Sequence, residues 1–196
     1  MAYVTRAEYR KYVTQLSGGE DVTYSADADA VTDDVLDQAT AYIESQTGRR
    51  YSALTDTRYY DARAVVTYDG QLLLLDDDLL TVTTLTNGDG AVISASDYWL
   101  EPRNGPLYYG IRLKSTKSWS FSTDGQVSIA GTWGRMSTPS DDVKRVTLRL
   151  AHLFMNQRTA TGQVTVFQDG TRTYEVPITD DLKHWLRREQ RVRGDL

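Results

Sequence analysis

The chain of 196 residues has no cysteine, two histidines, four prolines and three methionines. Without cysteine there is no disulfide framework, no thiolate zinc site and no thiol nucleophile. The two histidines, His152 and His184, each fall on a segment of helical period. Neither has a second His or Glu at the spacing of a zinc motif. The longest wholly apolar run is Leu72–Leu75, far short of the roughly 20 residues that a spanning helix needs. The start, MAYVTRAEYRKYV, lacks a basic segment followed by an apolar stretch, so no signal peptide is expected. The phosphate loop G-x-x-x-x-G-K-[ST], the dinucleotide turn G-x-G-x-x-G and the nucleophile elbow G-x-S-x-G are missing too. A Ser–His–Asp triad, or a pair of carboxylates for glycoside hydrolysis, need not be contiguous in sequence and stays open on this count.

What remains is an ordinary globular composition, 40% hydrophobic and 25% charged, with a net charge of −5. That balance argues against a dedicated nucleic-acid binder. The charge is unevenly spread: Glu20–Asp37 carries acids and no base, whereas the tail LRREQRVRGDL is rich in arginine. Opposite ends of opposite sign suit subunits that stack on one another, although two solvated faces would look the same.

Two periodicities divide the chain. Thr5 and Glu8 have capping-box spacing, and Tyr9, Tyr12, Val13 and Leu16 follow at helical intervals up to Gly18-Gly19. Thr32 reads as the N-cap of a second helix whose stripe is Val35, Leu36, Ala39, Tyr42 and Ile43, stopped by Gly48. After Tyr51 the period falls to two, and strand-like segments alternate with turn signals such as Asp69-Gly70, Asn87-Gly88-Asp89-Gly90 and Asp124-Gly125. Helical spacing returns behind Ser140, with Val143, Val146, Leu150, Leu153 and Phe154 on one face. The segment Thr159–Val176 reads as a hairpin or loop turning at Asp169-Gly170, and Thr179 as the cap of a last helix. The expected fold is α+β. A small helical core, two N-terminal and two C-terminal helices over residues 1–50 and 139–196, is interrupted by an antiparallel β-sandwich or barrel module over residues 51–138.

The stretch LLLLDDDLLTVTTLTNGDG poses the sharpest chemical question. A calcium loop needs oxygens at alternating positions, a central Gly and a distal Glu, none of which Asp76-Asp77-Asp78 supplies. Adjacent strand side chains point to opposite faces, so three consecutive carboxylates converge only at a turn. The expectation is a turn between a Leu72–Leu75 strand and a Thr81–Thr86 strand, with no metal, no cofactor and no catalytic residue. The module is also rich in aromatics, and the pairs Tyr59-Tyr60, Tyr98-Trp99 and Tyr108-Tyr109 must send one ring to each face of a strand. Some rings are therefore exposed or at an interface.

In order, YVTRAEYRKYV, VLDQATAYIESQTGRRY, TRYYDA, LLLLDDDLLTVTTLTNGDG, YWLEPRNGPLYYGIRL, VSIAGTWG and PSDDVKRVTLRLAHLFMNQR resemble the head–tail connector (adaptor) proteins of long-tailed bacteriophages and gene transfer agents. The resemblance covers nearly the whole chain and implies a structural virion protein, not an enzyme. Its partners would be its own copies in a ring, twelve-fold in the virion, the portal protein, and a neck, stopper or tail-completion protein. Packaged DNA would pass through the ring without sequence-specific binding, and no membrane is involved. Assembly in the host cytoplasm and residence at the head–tail interface follow from the same resemblance. Under it, the last helix and arginine tail are expected to bind the portal, through Leu182, Trp185, Leu186, Arg187, Arg188, Arg191 and Arg193. The alternative is a carbohydrate- or receptor-binding β-module of a phage particle, favoured by exposed Tyr and Trp. A neck or tail hydrolase is a third reading.

Overall fold

The structure is a computed structural model that describes residues 2–18, 26–61, 64, 70–105, 107–121, 126–159, 165–166, 172–173 and 178–191. It divides into two compact units, one of Met1–Gly48 with Pro139–Arg191 and one centred on Arg49–Thr138. The class is α+β: four helices and a five-stranded antiparallel sheet.

The helical unit holds α1 (Arg6–Leu16), α2 (Ala26–Thr47), α3 (Asp141–Thr159) and α4 (Asp180–Glu189). The capping box forms as its spacing suggests: Glu8 N–H donates to Thr5 Oγ1 at 3.2 Å, and Thr5 N–H donates to Glu8 Oε2 at 2.7 Å. Ser140 caps α3, its Oγ accepting from Val143 N–H at 3.4 Å. Buried side chains come from all four helices: Tyr9, then Val35, Leu36, Ala39 and Ile43, then Val143, Val146, Leu150 and Phe154, then Leu182 and Leu186. The stripes on α2 and α3 meet as the principal helix pair of the unit.

Helix α2 begins at Ala26, six residues before the expected cap. Thr32 is interior, its hydroxyl donating back to Ala28 O at 2.7 Å. The reason is tertiary. Asp29 and Asp33 lie one turn apart and take ion pairs from α1, Arg6 to both and Arg10 to Asp29. Acids near a helix N-terminus also complement its dipole. Part of the acidic stretch is thus neutralised inside its own unit.

The second unit is built on β1 (Leu54–Tyr60), β2 (Leu72–Thr86), β3 (Tyr98–Glu101), β4 (Tyr108–Leu113) and β5 (Val127–Trp133), in the spatial order β1-β5-β2-β4-β3. Alternation along β5 puts Val127, Ile129 and Trp133 into a core with Leu73, Leu79, Leu85, Ile111 and Leu113. The expected sandwich or barrel is not what forms: the sheet is open, with β1 and β3 at its edges. Two features account for this. Leu72–Thr86 is one strand of 15 residues, so two expected strands are one. The segment SWSFS, strand-like in composition, is irregular over Ser118–Phe121. It packs Trp119 and Phe121 on the core and is held by the Asn87 turn. There Asn87 Nδ2 donates to Ser118 O at 3.1 Å and Asn87 Oδ1 accepts from Ser120 N–H at 2.9 Å.

The three aspartates are not a turn. They sit inside β2, where its register shifts between Leu74 and Leu79 as pairing passes from β4 to β5. The irregularity lets neighbours share one partner: Arg58 Nη1 donates to Asp76 at 3.2 Å and Nη2 to Asp77 at 2.9 Å. Tyr60 O–H donates to Asp76 at 2.5 Å. Asp78 diverges, and its buried carboxylate accepts from Arg49 Nη1 at 2.6 Å. The Arg58 guanidinium also stacks 4.4 Å from the centre of the Trp133 ring. Burial would raise the Asp76 carboxyl, but the Tyr60 hydroxyl and the Arg58 charge outweigh it and hold it below its ordinary range.

A small ribbon, β6 (Thr165–Val166) with β7 (Arg172–Thr173), is antiparallel; the expected turn at Asp169-Gly170 lies outside the described residues.

Candidate functional site

The residues expected to meet a partner on α4 divide into two groups. Leu182 and Leu186, 3% and 6% exposed, pack into the helical unit, and Trp185 is half-buried. Arg187 and Arg188 are exposed on the opposite side. Arg191 follows the helix, and its N–H donates to Thr47 O at 2.8 Å. Arg193 lies outside the described residues. The apolar stripe is therefore spent on the helical unit's own core, and the exposed side of the helix carries Arg187 and Arg188.

Beside that face α2 and α4 enclose a cleft of about 190 Å³ lined by Tyr42, Gln46, Lys183, Leu186, Arg187 and Gln190. The position of α4 is fixed from α3: Arg149 donates to the Asp181 carboxylate and, at 3.3 Å, to Thr179 Oγ1. Thr179 stands at the N-cap without a side-chain capping bond. The Arg149 and Thr179 hydrogen bonds hold the Asp181 carboxyl well below the usual carboxylate range. Acids occupy the other helix starts: Asp141 and Asp142 are exposed at the first turn of α3, with Asp142 bonded to Arg145 at 2.8 Å.

Among the described residues no three His, Asp or Glu side chains are placed to hold a metal ion. His152 is edge-on to Tyr12 and lies 3.1 Å from Asn156 Nδ2, and burial lowers its pKa. His184 is exposed on α4. No described carboxylate touches either ring. The aspartates that drew attention in sequence are occupied by Arg58, Arg49 and Tyr60. No helix among the described residues is long and apolar enough to cross a membrane.

Sequence reasoning passed over a second surface, on the β-unit. Trp99 on the edge strand β3 has Arg103 stacked 3.9 Å from its ring centre and the Lys114 ammonium at 5.2 Å. A cleft of about 460 Å³ beside it is lined by Ala95, Tyr98, Trp99, Leu100, Arg103 and Tyr108. The sequence signal was available in YWLEPR, where an aromatic pair is followed by an arginine. Which cation would reach the ring depended on a turn that spacing alone does not resolve.

No protein-family model and no curated protein sequence matches the chain. Solved structures do resemble it. A chain from the neck of an empty gene transfer agent (GTA) particle, computed with C6 symmetry, superposes with a TM-score of 0.63 at 20% identity, over 97% of this chain and 91% of that one. A chain from the neck of a native GTA particle, computed with C12 symmetry, gives 0.61 at 18% identity, over 95% and 88%. One from the virion of a native GTA particle gives 0.62 at 20% identity, over 97% and 91%. The chain shares its fold, nearly end to end, with chains of these particles.

Proposed function

We propose that the protein is a structural subunit of a virion neck. It would form a homo-oligomeric ring beneath the portal, connect the capsid to the tail, and continue the channel through which DNA passes. The observation that carries this reading is the near-complete coverage of both chains in the likeness to GTA neck structures, which extends to the helical and the β portions alike. The C6 and C12 symmetries of those necks favour a closed ring, and twelve copies fit both. The ion pairs and the Tyr60 hydrogen bond that occupy Asp76–Asp78 within β2 agree with a part whose work is assembly.

Portal contact is assigned to the cationic side of α4, with Arg187 and Arg188 as the reaching groups and Trp185 at the margin. Leu182 and Leu186 serve from inside by holding the helix in place. The far side of the ring would meet a stopper or tail-completion protein. The test is to mix the purified chain with purified portal rings and measure co-sedimentation. Stoichiometric binding supports the reading; absence of binding at tens of micromolar chain, with both partners folded, contradicts it.

A further inference from the structure

The cleft beside Trp99 opens along the edge of the five-stranded sheet. Tyr98, Trp99 and Leu100 are consecutive on β3, so they alternate between the two faces of the sheet. Tyr98 and Leu100 pack against the core, whereas Trp99 shares its face with Arg112, its register partner on β4. A cleft lined by all three therefore straddles the strand's open edge. That edge is the last in the sheet, and no described strand pairs with it. Such an edge offers backbone N–H and C=O groups to an incoming extended chain.

The charges around the edge select the partner. The Arg103 guanidinium carbon lies 3.9 Å from the centre of the indole and the side chain is 55% exposed, which leaves its N–H groups accessible to a carboxylate. Its nearest carboxylate, Glu101, is 4.0 Å away and is closer to Arg112, at 3.6 Å. Among the described residues Lys114 has no carboxylate partner. Lys117 adds a further cation, held by Asp97 at 3.2 Å. In a chain of net charge −5 this edge is locally cationic.

We infer that the open edge of β3 is a docking site for an extended acidic peptide segment of another protein. The segment adds as a strand along Tyr98–Glu101 and sets carboxylates, two residues apart, on Arg103 and Lys114. Since β3 has only four residues, the backbone contributes few bonds and the cations carry most of the selectivity. The inference stands on this edge alone and does not depend on the neck reading.

The test uses the full chain, isotope-labelled, and the peptide acetyl-(Asp-Val)3-amide as probe, followed by amide NMR shifts. Saturable shifts confined to Tyr98–Glu101, Arg103 and Lys114, abolished by high salt, are expected. R103E and K114E should each weaken binding by at least about tenfold, the loss of one charge-assisted hydrogen bond. Arg103 is exposed and Lys114 half-buried, and unchanged amide shifts of β1 and β5 will show that the variants fold. An acetyl-(Lys-Val)3-amide control should not bind. The inference is overturned by no shifts at millimolar probe or by equal binding to R103E. It is likewise overturned if a twelve-residue oligothymidylate, and not the acidic peptide, shifts these amides, which would make the edge a nucleic-acid site.

Discussion

Replacing Arg58 by Met keeps the length of the side chain and removes its charge, which isolates the polar network on β2. In the folded chain Arg58 is 20% exposed, bonds Asp77, itself 16% exposed, at 2.9 Å, and bonds Asp76 at 3.2 Å. It also stacks 4.4 Å from the Trp133 ring centre. Breaking a buried pair from one side costs about 3–5 kcal/mol, because the remaining charge is left without its partner. The Asp76 arm is mostly solvated, 64% exposed, and contributes little. The expected loss is therefore at the lower end, about 3 kcal/mol. For a chain of this length that is a fall of roughly 6–12 °C in Tm. Urea unfolding followed by tryptophan emission gives the free energy directly, since Trp133 is fully buried under Arg58. The partner variant D77N removes the stranded carboxylate, so the double variant R58M/D77N should recover about 1–2 kcal/mol of the loss. A loss below about 0.5 kcal/mol for R58M, within the range of an ordinary surface substitution, would refute the assignment of these aspartates as ion-pair partners. Strict additivity of the two changes would refute it as well.

Three further outcomes follow from the packing. Gly131→Ala would bring a Cβ to 2.3 Å from Thr81 O, a backbone atom, so β5 and β2 must separate. Overpacking of this kind costs about 1–3 kcal/mol, readable as a shift of the urea midpoint. Asp181 has a folded pKa below its unfolded value of about 3.9, so its bond to Arg149 stabilises the chain above that pH and the contribution is lost as pH falls through the folded value. Thermal melts between pH 6 and pH 2 should fall less steeply for D181N than for the parent. Finally, R187E/R188E should weaken portal binding while changing the unfolding free energy by no more than the small range of surface substitutions, about 0.5 kcal/mol. A truncation that removes α4 would be ambiguous, because it also strips Leu182 and Leu186 from the core.

How far the sequence could be read depended on whether the determining contact was local. The Thr5–Glu8 box, the Ser140 cap and the stripes of α2 and α3 are set by residues three or four apart, and they form where periodicity puts them. The start of α2 did not follow, because Arg6 and Arg10 reach Asp29 and Asp33 from another helix. The aspartate triplet looked like a turn for the same reason. Its partners, Arg58 and Arg49, lie 18 to 29 residues away in sequence, and a register shift in mid-strand has no compositional mark of its own. An open sheet differs from a sandwich only in whether one long strand is counted as two and in how an irregular segment such as Ser118–Phe121 covers the core. The cationic face of α4 was legible from its arginines. The Trp99 edge was not, since it depends on which strand ends the sheet.

The most direct test of a neck subunit is to image capsids that carry the portal, with and without the chain, and to average the portal vertex. The account predicts a closed ring of added density directly below the portal, with twelve copies into which the helical and the β-unit each fit, and with α4 on the portal side. A vertex that looks the same with and without the chain, or added density on the capsid surface away from the channel axis, would contradict it.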